Sequence, residues 1–211
     1  MKTVSSFPLL SKSEFDEACG NIAKVFIQEF HGSNVWASAD VVQRNGSQYL
    51  KIVKELSIPH IDPGNGCTNA EEEEIEDEDE EILEPPSNHG VTVEYDIVLS
   101  PSYQVPVLYF SIKDPLFRYP PTMDTLYRIL IPPQFKAQAE NVSVIGGITV
   151  TDHPVTNTPV FFIHPCQTAS VLEASKAIDT LTSIDYLVLW IGAMGKCVGL
   201  DIPVALAQNL G

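Results

Sequence analysis

The sequence predicts an α+β fold with one N-terminal helix, an antiparallel β-meander with additional strands, and C-terminal helices. Three observations carry this. Phe15, Cys19, Ile22, Phe26 and Phe30 recur at helical spacing near the start, the middle of the chain alternates with period two, and helical texture returns from Ser170 onward.

The first helix has a defined beginning. Ser11 and Glu14 stand at capping-box spacing, and the apolar face then runs on to Gly32 with Cys19 in it, which makes Cys19 a core residue. VWASADVVQ and YLKIVKEL follow as strands joined at Arg44-Asn45-Gly46-Ser47, where Asn-Gly supplies the positive φ angles of a tight hairpin turn. VTVEYDIVLS and VPVLYFSIK complete a four-stranded meander. Its segment Val105 to Ile112 is expected at a sheet edge, where it offers hydrogen-bonding groups to a partner's strand. Met123 to Ile131 reads as a short helix stopped by Pro132-Pro133. VSVIGGITVT and TPVFFIHP read as two more strands, and Ser170–Thr182 and Ile184–Lys196 as two helices, the second apolar almost all round and therefore buried.

A chain of 211 residues suits one domain, 1–211, carrying an insertion. The formal charge of −16 has mainly one source: residues 71–84, EEEEIEDEDEEILE, hold eleven acidic side chains, leaving −5 for the rest. So dense a block repels itself and buries little, so that about 60–90 reads as a mobile acidic insertion. Twelve Lys and Arg without a cluster argue against nucleic-acid binding. No apolar run has the length of a signal peptide or membrane span, and the four cysteines lack paired spacing, which together predict a cytoplasmic protein.

Chemistry concentrates on VFFIHPCQTAS, residues 160–170, where an apolar strand runs directly into His164-Pro165-Cys166. A cysteine placed where the backbone leaves the core, behind a rigid proline, admits three chemical readings beside that of an inert loop thiol. A thiol protease needs a histidine bonded to the sulfur, and His164 is too close in sequence for that geometry. A metal site built from His153, His164 and Cys166 lacks paired ligand spacing. Thioester carriage needs an accessible sulfur that attacks and leaves well with no permanent base beside it, and an unperturbed thiol already offers a few per cent of thiolate at neutral pH.

An ordered set of stretches separates these readings. Ser102 to Phe110 (SYQVPVLYF), Asp152-His153-Pro154, Phe162-Ile163-His164-Pro165-Cys166-Gln167-Thr168, Tyr186-Leu187 with Trp190, and Val198 to Pro203 (VGLDIP) together resemble the autophagy-related protein 10 family of ubiquitin-conjugating-like enzymes. The sister autophagy family, which carries a modifier to a lipid, resembles only the DHP…HPC portion. It places a histidine after the Cys-x pair, where this chain has Thr168, and ends on an aromatic, acidic motif, where this chain ends VGLDIPVALAQNLG.

The resemblance implies a ubiquitin-conjugating-enzyme-like fold and a thioester at Cys166. By it, the ubiquitin-like modifier, autophagy-related protein 12, comes from the activating enzyme, protein 7, and goes to a lysine of the acceptor, protein 5. No metal or small-molecule cofactor is implied, nor membrane insertion. A catalytically idle interaction module of the same fold is the alternative of a different class. Ubiquitin-conjugating enzymes carry His-Pro-Asn before the cysteine, its Asn serving the oxyanion, and both His-Pro pairs here lack that Asn. Asn157, Thr168 or backbone N–H groups beyond Cys166 are the substitutes, Asn157 foremost. Asp152, His153 and Tyr103 are the polar groups available to the attacking lysine, and His164 joins them as a supporting candidate.

Overall fold

The computed structural model describes residues 3–29, 35–57, 90–140, 147–175 and 181–208. The expected acidic insertion at about 60–90 therefore lies outside the described residues, apart from Gly90.

Helix α1, Lys12–Glu29, begins as expected at the capping box: Ser11 N–H donates to Glu14 Oε2 at 2.8 Å and Glu14 N–H to Ser11 Oγ at 3.3 Å. Phe15, Cys19 and Ile22 are fully buried, so the helical spacing of the sequence marks the core face. Glu14 does more than cap, since its Oε1 also accepts Ser5 N–H at 2.8 Å and so ties the N-terminal segment to the helix. Burial pushes this carboxyl up, but the hydrogen bonds from Ser11 and Ser5 outweigh it and bring it down to about 2. A depressed carboxyl stabilises the fold above its unfolded value of 4.5, and that contribution is lost as pH falls through about 2. Glu14→Ala is expected to lower stability at pH 7 by roughly 1–3 kcal/mol and to flatten the acid limb of the wild-type profile. Urea unfolding across pH 2–7 checks both; an unchanged acid limb removes Glu14 from that role.

Among the described residues the sheet has six strands, all antiparallel, in the order β1-β2-β3-β4-β6-β5. These are β1 Ser38–Arg44, β2 Ser47–Glu55, β3 Thr92–Leu99, β4 Pro106–Lys113, β5 Ile148–Asp152 and β6 Pro159–Ile163. Asn45 and Gly46 at the β1–β2 turn have φ of 52° and 75°, the left-handed pair that this dipeptide accommodates. The expected edge at Val105 to Ile112 is corrected: β4 is interior, paired with β3 from Pro106 to Lys113 and with β6 through Tyr109–Phe162 and Phe110–Phe161. The hydrophobicity of β4 is that of a covered strand, and alternation does not tell covered from edge.

Helical residues follow the sheet. Thr122 caps a turn at Met123–Thr125 (α2), which widens into a π-helical turn over Leu126–Leu130. The proline pair ends this helix and also starts another, α3 Pro133–Glu140, because a proline at the first helical position lacks only an N–H that would be unpaired there. Of the expected strand over 142–151 the described part begins at Ile148. α4, Thr168–Ser175, starts two residues earlier than the spacing predicts, and Leu181 lies outside it, bonded to Val4 N–H. α5, Ser183–Met194, is the expected buried helix: Thr182 and Asp185 form a capping box, and Tyr186, Leu187, Trp190 and Ile191 pack in the core. α6, Val204–Gln208, ends the described chain. Tyr95, Ile97, Leu108, Phe110 and Phe161 face α1 and α5 across one core. Among the described residues no helix is long and apolar enough to cross a membrane. The architecture is α+β with an N-terminal helix, an antiparallel sheet and C-terminal helices, as expected.

Candidate functional site

Burial alternates over the last three residues of β6. Phe161 and Ile163 point into the core and are buried, while Phe162 faces the other side of the sheet and is half-buried. His164 continues the ladder by one residue, its N–H donating to Gly147 O at 2.9 Å, and so stands on the face of Phe162. Pro165 then forces the chain into a single 3₁₀ turn, Pro165–Gln167, that runs directly into α4.

Cys166 sits in that turn as an exposed free thiol. His164 caps the turn: its Nδ1 accepts the Cys166 N–H at 3.1 Å. The imidazole is therefore bonded to the backbone of the cysteine, and a neutral ring bonded in this way carries its own proton on Nε2. Two further rings meet it nearly at right angles, Tyr103 at 5.7 Å and 80° and Phe162 at 5.8 Å and 79°. Tyr103 comes from the β3–β4 turn, where its N–H donates to Ser100 Oγ and Gln104 holds a φ of 53°. The N-terminal segment clamps this turn through Leu10 N–H to Gln104 O at 2.7 Å. Tyr103 is 47 % exposed, so its hydroxyl is open to an incoming group.

The structure does not bring the other candidates here. Asp152 pairs with Pro159 at the opposite end of β6, and Asn157 forms the β5–β6 turn with a φ of 55° and its N–H on His153 O. The length of β6 separates that end from Ile163, about 13 Å at ~3.3 Å per residue. Asn157 and Asp152 thus stand as turn and strand-end residues at the far end of β6; the Asx-type tolerance of a left-handed conformation suits the Asn. Thr168 opens α4. Its side chain is buried at the start of α4 and Oγ1 has no hydrogen-bond partner among the described residues, so it faces the protein rather than the sulfur.

His153 belongs to a separate cluster. It is 1 % exposed, between the rings of Tyr49 (5.7 Å) and Tyr109 (5.2 Å), and Nδ1 accepts the N–H groups of Val155 and Thr156, each at 3.2 Å. Nε2 faces Asp96 Oδ2 at 3.4 Å, a contact too poorly aligned to count as a hydrogen bond. Lys51, bonded to Glu94 at 2.8 Å, and Lys113 complete the group. Burial pushes the Asp96 carboxyl up to about 6, with Lys51 opposing and Glu94 assisting. Burial, and then Lys51 and Lys113, push His153 down to about 4.

The signs of these two shifts oppose each other. A raised carboxyl favours the native state as pH falls from 6 toward 3.8, whereas a lowered imidazole makes stability fall as pH drops from 6.5 to 4. His153→Asn keeps an acceptor for the turn and removes the second titration. The variant is expected to gain on wild type by up to about 2 kcal/mol between pH 6.5 and 4. Denaturant unfolding at those two values measures it, and a constant difference between the proteins contradicts it.

The sequence reading quoted Phe162 within the motif and gave it no place beside His164. Its signal was present, since the period of two places Phe162 and His164 on one face of the strand.

Comparison with known proteins bears on this geometry. Residues 14–205 match the family described as autophagocytosis associated protein, active-site domain. A Gibberella zeae protein named ubiquitin-like-conjugating enzyme ATG10 is 29 % identical over 98 % of this chain and 100 % of its own length. Proteins of the same name from Arabidopsis thaliana and Homo sapiens are 31 % and 30 % identical, over 79 % and 69 % of this chain and 78 % and 66 % of theirs.

Proposed function

Because the chain belongs to the ATG10 family of ubiquitin-like-conjugating enzymes of autophagy, we propose that Cys166 is the residue that carries the modifier as a thioester. The observation that supports this most is the Cys166 turn itself: an exposed thiol, behind a proline, with its N–H held by a side chain. The modifier is autophagy-related protein 12, delivered by the activating enzyme, protein 7, and passed to a lysine of protein 5. The enzyme works in the cytoplasm as a single catalytic domain, 1–211, that carries the acidic insertion at about 60–90.

Two exchanges make up the reaction. In charging, the Cys166 thiolate attacks the carbonyl carbon of the modifier's C-terminal glycine, a new C–S bond forms, and the bond to the activating enzyme's cysteine breaks and releases its thiolate. In discharge, the acceptor amine attacks the same carbon, gives its proton to solvent, and the Cys166 thiolate leaves as the isopeptide forms. Both steps pass through an oxyanion, and the second, with a neutral amine as nucleophile, gains most from its stabilisation. His164, with Nδ1 engaged by the Cys166 N–H, has Nε2–H to donate, so it suits oxyanion stabilisation rather than removal of the amine proton. The Tyr103 ring stands against His164 at 5.7 Å, and its hydroxyl is the group we assign to the incoming amine.

Incubation with activating enzyme, modifier and ATP, followed by electrophoresis with and without reductant, tests the reading. A reductant-sensitive adduct is expected. No adduct, with the modifier still bound non-covalently, leaves the chain as an interaction module.

A further inference from the structure

The half-buried ring of Phe162 serves no core contact, because the core side of β6 is filled by Phe161 and Ile163. On its own face Phe162 has two aromatic neighbours, Tyr109 on β4 at 5.3 Å and His164 at 5.8 Å. Tyr109 also meets His153, so a row of rings runs from the buried cluster to the reactive turn: His153, Tyr109, Phe162, His164 and Tyr103. The imidazole of His164 has three contacts, Nδ1 with Cys166 N–H and the ring with Phe162 and Tyr103, while the backbone N–H of the residue is tied to Gly147 O.

We propose that Phe162 is a positioning residue, acting through His164, for the discharge of the thioester. The inference rests on the reading of Cys166 given above. An exposed histidine samples several rotamers, and the one observed keeps Nδ1 on Cys166 N–H and leaves Nε2–H free of that bond. A perpendicular ring contact adds a geometric preference that an aliphatic side chain of similar size does not supply. Both exchanges pass through a tetrahedral oxyanion, but charging only trades one thiolate for another, whereas discharge starts from a neutral amine that must lose its proton, so a donor at the oxyanion, and with it Phe162, matters most to the second exchange.

Phe162→Leu keeps apolar bulk in the strand and removes the ring; Phe162→Tyr keeps the ring. Single-turnover charging and discharge are timed for both, and the His164 ring proton resonances of the uncharged proteins are recorded by NMR. Phe162→Leu is expected to discharge roughly three- to tenfold more slowly with charging unchanged and the His164 resonances displaced, and Phe162→Tyr to match wild type in all three. Discharge by Phe162→Leu at the wild-type rate overturns the proposal, as does an equal loss in both half-reactions, failure of Phe162→Tyr to restore discharge, or unfolding of Phe162→Leu, which makes the ring a core element. If wild type itself does not charge, the function assigned to Cys166 falls. The NMR arm then decides alone: displaced His164 resonances support the positioning, and unmoved ones overturn it.

Discussion

Cys166→Ala is expected to yield no reductant-sensitive adduct, a loss of charging to background, because no other described thiol can take over the role. Cys19 is fully buried, and burial pushes its thiol well above the ordinary range. Cys197 donates its thiol to Met194 O at 3.3 Å and is pushed up to about 11 by burial, so at neutral pH it offers almost no thiolate. Cys166→Ser is the more telling variant. A hydroxyl leaves far less readily than a thiol, so the modifier should accumulate as an oxyester that survives reductant and discharges slowly. An adduct persisting in Cys166→Ala would move the assignment to Cys197 or to Cys67, which lies outside the described residues.

The second large effect separates the two ends of β6. His164→Ala removes both the cap of the Cys166 turn and the Nε2–H donor, and should slow discharge on the order of 10- to 100-fold while charging changes little. Tyr103→Phe keeps the ring against His164 and removes the hydroxyl, so a discharge defect in it reports the hydroxyl itself. At the far end, Asp152→Ala and Asn157→Gly should discharge within about twofold of wild type, the glycine being chosen because the position has a φ of 55°. Timing the two half-reactions in all four proteins decides the matter. A strong discharge defect in Asn157→Gly alone would return the oxyanion role to that asparagine.

The local devices of this chain were legible because each is complete within a few residues. Ser11 with Glu14 starts α1, Asn45-Gly46 closes the first hairpin, and the apolar spacing of Phe15, Cys19 and Ile22 marks the buried face. Asp185 shows where such reading reaches its boundary. It interrupts an apolar run in the sequence, yet with Thr182 it is the N-terminal cap of the most buried helix. Pro132-Pro133 is similar, a stop signal whose second member also opens α3. In both cases the residue's chemistry was plain and its role depended on which side the helix lay.

By itself the sequence determined the α+β class, the order of the described elements up to α2, and the place of Cys166 just beyond a strand behind a proline. Tertiary structure alone decided that β6 lies between β4 and β5, which made β4 interior and set Asn157 and Asp152 at one end of a strand whose other end carries the thiol. It also decided that Tyr103, more than sixty residues away in the chain, meets His164. The reason is physical. Caps, turns and alternation act over distances that the local backbone spans, whereas strand neighbours and the end at which two loops meet depend on which closures bury the most apolar surface, a sum over the whole chain that no short segment contains.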